Sequence, residues 1–303
     1  MKKEKATIEE KQMTIRGKNV FYIESNHENL PENAPVLVLL QGWPVSCLYY
    51  ENFMKQIGDT VKCYAVDFPG WGDSEADYRN FYGFDYLTEF VKEFAIQVLG
   101  NDDFSIFGYS TGGIVAINYA YKYKLNGKVI TFSAPYDGIS HMRKTFQGGY
   151  FFKLWMLFLR LFRIFPYSII ALQSHSLKRL FIKNYCEKVE WSSASLKTFL
   201  HEPEYAEFAQ EVIKHTANGH PKPILDIAVD LGERNFTEIA SKLQTPTLVL
   251  SAENDNAVNI TATKKLAEII PNAEFEYLAG GDHYSIAVET DFFVNVVKRF
   301  LVK

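Results

Sequence analysis

The sequence predicts an α/β fold: a mostly parallel central sheet with helices on both faces, carrying an inserted helical segment. Three observations predict it. Short apolar runs of strand length recur along the chain with helical patterns between them. One of these runs passes through Gly-x-Ser-x-Gly directly into a helical pattern. The alternation then stops between about Tyr136 and Leu243, where the pattern is mainly helical and shows no clear buried strand. Strand followed by helix, several times over, brings successive strands in parallel and covers both faces of the sheet. With 303 residues the chain can bury a core of that size together with an insertion.

The elements follow in order. Met13 to Ser25 alternates around a turn signal at Gly17-Lys18 and opens the chain as a hairpin strand. Pro35 to Leu40 is continuously apolar, the mark of a central strand covered on both faces. Val61 to Val66, Phe104 to Phe107, Lys128 to Phe132, Thr247 to Leu250 and Glu274 to Leu278 supply further strands. Helices are expected at Phe84 to Leu99, where Tyr86, Phe90, Phe94 and Val98 fall at helical spacing, and at Ile114 to Lys124, Ile260 to Ile270 and Phe292 to Val302. The expected division is a first core part over 1–135, a helical cap over 136–243 and a last core part over 244–303.

The bulk numbers exclude several classes. Hydrophobic residues make up 47%, charged residues 22%, and the net charge is −4, which gives no basic face for nucleic acid. Met1 to Lys11 is charged and polar, without an apolar run of signal-peptide length, and no stretch reaches the ~18 apolar residues of a membrane span. Cys47, Cys63 and Cys186 show no metal or redox spacing and read as reduced, partly buried thiols of a cytoplasmic protein. Asn235 and Asn259 begin Asn-x-Thr sequons that mean little without a secretory route.

The chemistry concentrates at Gly108-Tyr109-Ser110-Thr111-Gly112. A serine held on a tight strand-to-helix turn stands clear of the sheet as a nucleophile. Gly108 and Gly112 leave room where the chain reverses, and the helix that starts at Thr111 points its N–H groups and positive end at the site. Downstream, Thr247 to Leu250 runs into Ser251-Ala-Glu-Asn-Asp255, and the last strand into Ala279-Gly-Gly-Asp-His283. The chain order is Ser, Asp, His.

With Gln41-Gly-Trp-Pro44 after one strand and Asp67-Phe-Pro-Gly-Trp-Gly-Asp-Ser74 after the next, these motifs resemble a capped α/β-hydrolase over nearly the whole chain. The resemblance implies Ser110 as nucleophile, His283 as general base and Asp255 as the acid that orients it. It implies an oxyanion hole from the backbone N–H groups of Trp43 and Thr111. Gln41 stands where the family's turn carries histidine, and the Asp67 loop is assigned a scaffold role. Dehalogenases and epoxide hydrolases of this superfamily use an aspartate nucleophile, so serine at 110 points to the esterases, lipases, carbon–carbon bond hydrolases, iminopeptidases and cofactor-free perhydrolases. The expected reaction is hydrolysis of a carboxylic ester through an acyl-enzyme, with no metal or organic cofactor and a small hydrophobic substrate as partner. A carbon–carbon hydrolase or perhydrolase is the main alternative, and a non-catalytic binding protein on the same scaffold is the second.

Competing assignments remain at this stage. His141 is the second candidate for the base, ahead of His27, His175, His201, His215 and His220. Asp137 and Glu253 are alternatives for the acid, and Asp282 is expected to cap or solvate its loop. Tyr150 to Phe165 is apolar and aromatic with Lys153, Arg160 and Arg163 on one helical face, and suggests an apolar acyl pocket or peripheral contact with a membrane.

Overall fold

The computed structural model describes residues 5–77, 79–145, 153–154, 156–157 and 193–302. A hairpin opens the chain: β1 (Thr7–Ile15) pairs antiparallel with β2 (Lys18–Asn26), starting earlier than the alternation predicts. Strands β3 (Val36–Leu40), β4 (Lys62–Val66), β5 (Ser105–Tyr109), β6 (Val129–Phe132), β7 (Thr247–Ala252) and β8 (Glu274–Leu278) complete an eight-stranded sheet of order β1-β2-β4-β3-β5-β6-β7-β8. Strand β2 is antiparallel to β1 and to β4, and every pair from β4 to β8 is parallel.

Period-two alternation divides the core between the two faces. Leu37 and Leu39 of β3 pack with α1 (Glu51–Ile57) and α10 (Thr290–Val302) through Phe53, Phe293 and Val297. Val38 and Leu40 face the other way, onto α2 (Phe84–Phe94) and α3 (Thr111–Tyr123). The buried stripe of α2 is Phe84, Leu87, Phe90, Val91 and Phe94, so the predicted stripe through Tyr86 and Val98 is rotated: both of those are only partly buried. The helix also ends early, widening to a π turn over Ala95–Leu99 before a left-handed Gly100. Helix α9 (Ile260–Ile269) flanks β7 and β8, and the side chain of Asn259 caps it by accepting the Ala262 N–H at 2.9 Å. Strand β8 is only half buried because it forms the sheet edge.

Between β6 and β7 every element among the described residues is helical: α4 (Gly138–Thr145), α5 (Ala194–His201), α6 (Ala206–Asn218), α7 (Pro221–Glu233) and α8 (Thr237–Ser241). Polar contacts fix α6 and α7 to the core. His215 and Asn218 bond Asp73, the Thr216 hydroxyl accepts the Ser46 N–H at 3.1 Å, and the His220 N–H reaches the Gly70 carbonyl at 2.6 Å. On α7, Asp226 accepts the Tyr82 N–H at 3.1 Å and Asp230 the Phe84 N–H at 2.7 Å, while Lys222 pairs with Asp226 in a buried ion pair.

Most of the apolar run Tyr150 to Phe165 lies outside the described residues, as does Cys186. Of that run, Leu154 and Leu157 are exposed and Met156 is buried. Among the described residues, no helix is long and apolar enough to cross a membrane. Cys47 and Cys63 are free thiols, and both are fully buried where partial burial was expected. Burial pushes the Cys63 thiol up to about 12, so it is no nucleophile at neutral pH.

Candidate active site

The sheet order reverses direction at β3. The chain leaves it toward β4 on one side and returns to β5 on the other, which opens a crevice at the carboxyl ends of β3 and β5. Leu40 is in register with Gly108, so the turns after these strands are neighbours.

Ser110 sits between β5 and α3 at φ 51°, ψ −117°, a conformation L-residues avoid. Its N–H is held by the Phe132 carbonyl at 2.8 Å and its carbonyl by the Gly113 N–H at 3.0 Å. The two glycines are sterically obligatory. A Cβ on Gly108 would lie 2.3 Å from the Gly112 carbonyl oxygen, and one on Gly112 would lie 2.2 Å from the Leu40 carbonyl oxygen. Thr111 is the first residue of α3, where a helix leaves its N–H groups without intrahelical acceptors.

The turn after β3 presses on the same point. A Cβ on Gly42 would stand 3.1 Å from the Ser110 Cβ, which places the Gly42-Trp43 peptide beside the serine. Gln41 is fully buried, and with its side-chain amide turned so that the polar groups match, its nitrogen donates to the Val66 carbonyl at 2.5 Å and its oxygen accepts the Phe68 N–H at 2.9 Å. It therefore ties the β3 turn to the β4 turn, and the glutamine can shape this turn through its own side chain. Asp67 does comparable work in the next loop, accepting the Cys47 N–H at 2.6 Å and the Asp73 N–H at 3.0 Å. Burial pushes its carboxyl up to about 7 against those donors.

Asp255 and His283 meet beyond the ends of β7 and β8. The Nδ1 of His283 lies 2.8 Å from Oδ2 of Asp255, and both residues are buried. The other carboxylate oxygen accepts the Ala257 and Val258 N–H groups at 2.8 and 2.7 Å. Burial alone would raise the Asp255 pKa, but the charge and hydrogen bond of His283 outweigh it and hold the carboxyl below its ordinary value. The His283 ring lies 5.0 Å from that of Tyr109, the residue before the serine. Tyr109 also stacks on Phe132 at 5.6 Å and on Tyr49 at 5.9 Å.

The competing candidates fall elsewhere. Asp137 directly precedes α4, its side chain accepting the Ser140 N–H at 3.2 Å. Glu253 accepts the Gly280 N–H at 2.8 Å and is exposed. His215 is bound to Asp73. His141 does approach the pair: burial first, then the charge on His283, pull it down to about 4, so it stays neutral near pH 7. Asp282 is buried, not solvated, and its partners lie partly on α5. Sequence reasoning missed that role; the one signal was the serine-rich Ser192-Ser-Ala-Ser195, which suits a helix cap. Among the described residues, no group of three or more His, Cys, Asp or Glu could hold a metal ion.

An alcohol side chain on a strained turn, a buried imidazole–carboxylate pair and two neighbouring turns at a sheet's switch point define a hydrolase scaffold. Residues 35–290 match the model of the alpha/beta hydrolase fold family, and the chain belongs to that family. It is 20% identical over 274 residues to epoxide hydrolase 1 of Caenorhabditis elegans, covering 90% of this chain and 66% of that protein. It is 23% identical to the proline iminopeptidase of Saccharolobus solfataricus, covering 99% of this chain and 94% of that protein. The crystal structure of the enol-lactonase from Burkholderia xenovorans LB400 superposes with a TM-score of 0.72 at 17% identity, over 97% of this chain and all (100%) of that one.

Proposed function

We propose that this chain hydrolyses carboxylic esters through Ser110, His283 and Asp255, with the insertion over 136–243 acting as a cap on the site. The observation that carries the reading is the buried 2.8 Å bond from His283 to Asp255, supported by the 5.0 Å contact of the His283 ring with Tyr109, the residue before a serine in a strained backbone conformation. In this reading the free imidazole nitrogen takes the Ser110 proton as the serine oxygen attacks the ester carbonyl. The N–H groups of Trp43 and Thr111 bind the oxyanion, and His283 passes its proton to the leaving alcohol. Water repeats the sequence, releasing the acid and restoring the serine. Asp255 keeps the imidazole in the tautomer that leaves the reacting nitrogen free to accept.

The enol-lactonase similarity supports ester chemistry, because a lactone is a cyclic ester. The preference for an apolar acyl group rests on the apolar and aromatic run Tyr150 to Phe165 of the insertion. A fluorophosphonate probe is expected to label Ser110, and Ser110→Ala is expected to lose labelling together with roughly 10⁴-fold or more of kcat. Turnover by Ser110→Ala at the native rate overturns the reading. On p-nitrophenyl esters, octanoate should exceed acetate in kcat/KM, and equal rates remove the apolar-acyl part. A β-diketone cleaved faster than every ester would move the assignment to carbon–carbon bond hydrolysis.

A further inference from the structure

Asp282 stands directly before His283 and is buried, with 5% of its surface exposed. A carboxylate in such a place needs donors, and the origin of its donors is informative. Oδ1 accepts the Tyr284 N–H at 2.9 Å, within its own loop. Oδ2 accepts two donors from the middle of the insertion: the Ser193 hydroxyl at 2.9 Å and the Ser195 N–H at 2.9 Å. The Ser193 oxygen also receives the Leu196 N–H at 2.9 Å, so the residue that caps α5 is the residue that grips Asp282.

A second layer repeats the link. The Ser285 hydroxyl accepts the Asp282 N–H at 2.8 Å and lies 2.8 Å from the Ser195 hydroxyl. The Tyr284 carbonyl accepts the Tyr49 hydroxyl at 2.8 Å, and Tyr49 packs against Phe199 of α5. The loop that carries His283 is thus held partly by its own Asp282 and Ser285 and by Tyr49, and partly by Ser193 and Ser195, whose bonds exist only while α5 is seated. Ser193 serves the Leu196 N–H and Asp282 the Ser195 N–H, so two of the groups that a helix start leaves unsatisfied are shared between the helix and the His283 loop.

We propose that Asp282 is a positioning residue that makes the alignment of His283 conditional on the docking of α5, so that the cap and the general base act as one unit. The proposal rests on the triad reading above. An imidazole displaced by about 1 Å loses on the order of 10²-fold in rate, enough for such a linkage to govern turnover.

The test uses the full chain and four readouts: the second-order rate of Ser110 labelling by a fluorophosphonate, kcat and KM on p-nitrophenyl octanoate, the melting temperature, and the downfield proton resonance of the His283–Asp255 hydrogen bond. Asp282→Ala is expected to lower labelling and kcat together by about 10- to 100-fold with KM within about threefold, and to broaden the resonance. Ser193→Ala keeps the Ser195 and Tyr284 bonds to Asp282 and should lower labelling by about 3- to 10-fold, with Ser193→Thr restoring it. The double variant should be no slower than Asp282→Ala, because both act through one linkage.

A lowered melting temperature with labelling within about twofold of the parent and the resonance intact means a merely structural role, and overturns the proposal. If Asp282→Ala does not fold, Ser193→Ala decides by the same threshold. If Ser110→Ala still turns over, the triad reading itself has failed. If Ser110→Ala is inactive while the Asp282 and Ser193 variants label normally, only this inference has failed.

Discussion

The two halves of the candidate site are held in place by different physics. Ser110 is placed by backbone: a strained φ, strand register between Leu40 and Gly108, and glycines whose missing Cβ atoms let two turns touch. His283 is placed by side chains: the carboxylates of Asp255 and Asp282, the hydroxyl of Tyr49, and serines that belong to α5 or face it. Close-packed backbone has no graded response, since an added methyl group either fits or forces the chain to move. A polar side-chain frame yields by degrees, as individual hydrogen bonds are lost. One half should therefore fail abruptly on substitution and the other in proportion to what is removed.

The largest expected effect sharpens that contrast on the His283 side. Asp255→Asn keeps an oxygen for the Ala257 and Val258 N–H groups but offers an amide N–H to His283, favouring the wrong tautomer. It should lower kcat by about 10⁴-fold while the melting temperature stays near that of the parent, as read by steady-state kinetics and calorimetry. On the Ser110 side, Gly112→Ala drives a Cβ into the Leu40 carbonyl and should cost about 3 kcal/mol or more in urea unfolding, with fluorophosphonate labelling lost as well. A folded and fully reactive Gly112→Ala enzyme would break the comparison. Gln41→Leu strands the Phe68 N–H and the Val66 carbonyl, and a stability loss of about 2 kcal/mol is expected. With it, kcat should fall about tenfold if Trp43 supplies the proposed oxyanion N–H, because that turn is no longer fixed.

The smallest effect concerns pH. The folded-state pKa of His141, about 4, lies below its unfolded value of about 6.5, so the unfolded chain takes up the extra proton in that window. Stability from a neutral His141 is complete above about 6.5 and falls as the pH drops toward 4. His141→Gln should flatten this slope in unfolding titrations. Asp255 acts at a lower pH, because its carboxyl is depressed: its contribution is present above about 4 and lost as acid protonates the folded pair.

The same contrast explains what the sequence revealed. Backbone-determined features leave compact signatures, so Gly-x-Ser-x-Gly and the apolar runs of β3, β5, β6 and β7 could be read directly. Asp255 and His283 were legible because each follows a strand in a glycine- or Asn-rich turn. The grip of Ser193 on Asp282 spans 89 positions, and no local pattern encodes a contact of that range. The stripe of α2 was misplaced for a related reason: Tyr86 matches the periodicity, yet its ring stands edge-on to Tyr82 and under Arg16 at the rim, leaving Leu87 to face the core. Gln41 departs from the family's histidine, and its reach to the Val66 and Phe68 backbone cannot be read from the local motif.

The seam between α6, α7 and the core bears on how a substrate gets in. His215, Thr216, Asn218 and His220 are stitched to Asp73, Ser46 and Gly70, on loops that also carry the scaffold of the β3 and β4 turns. In the proposed mechanism, parting that seam would disturb the oxyanion side of the site before any ester arrived. On the proposed reading, substrate entry would leave this flank shut, as the fixed jamb of the doorway.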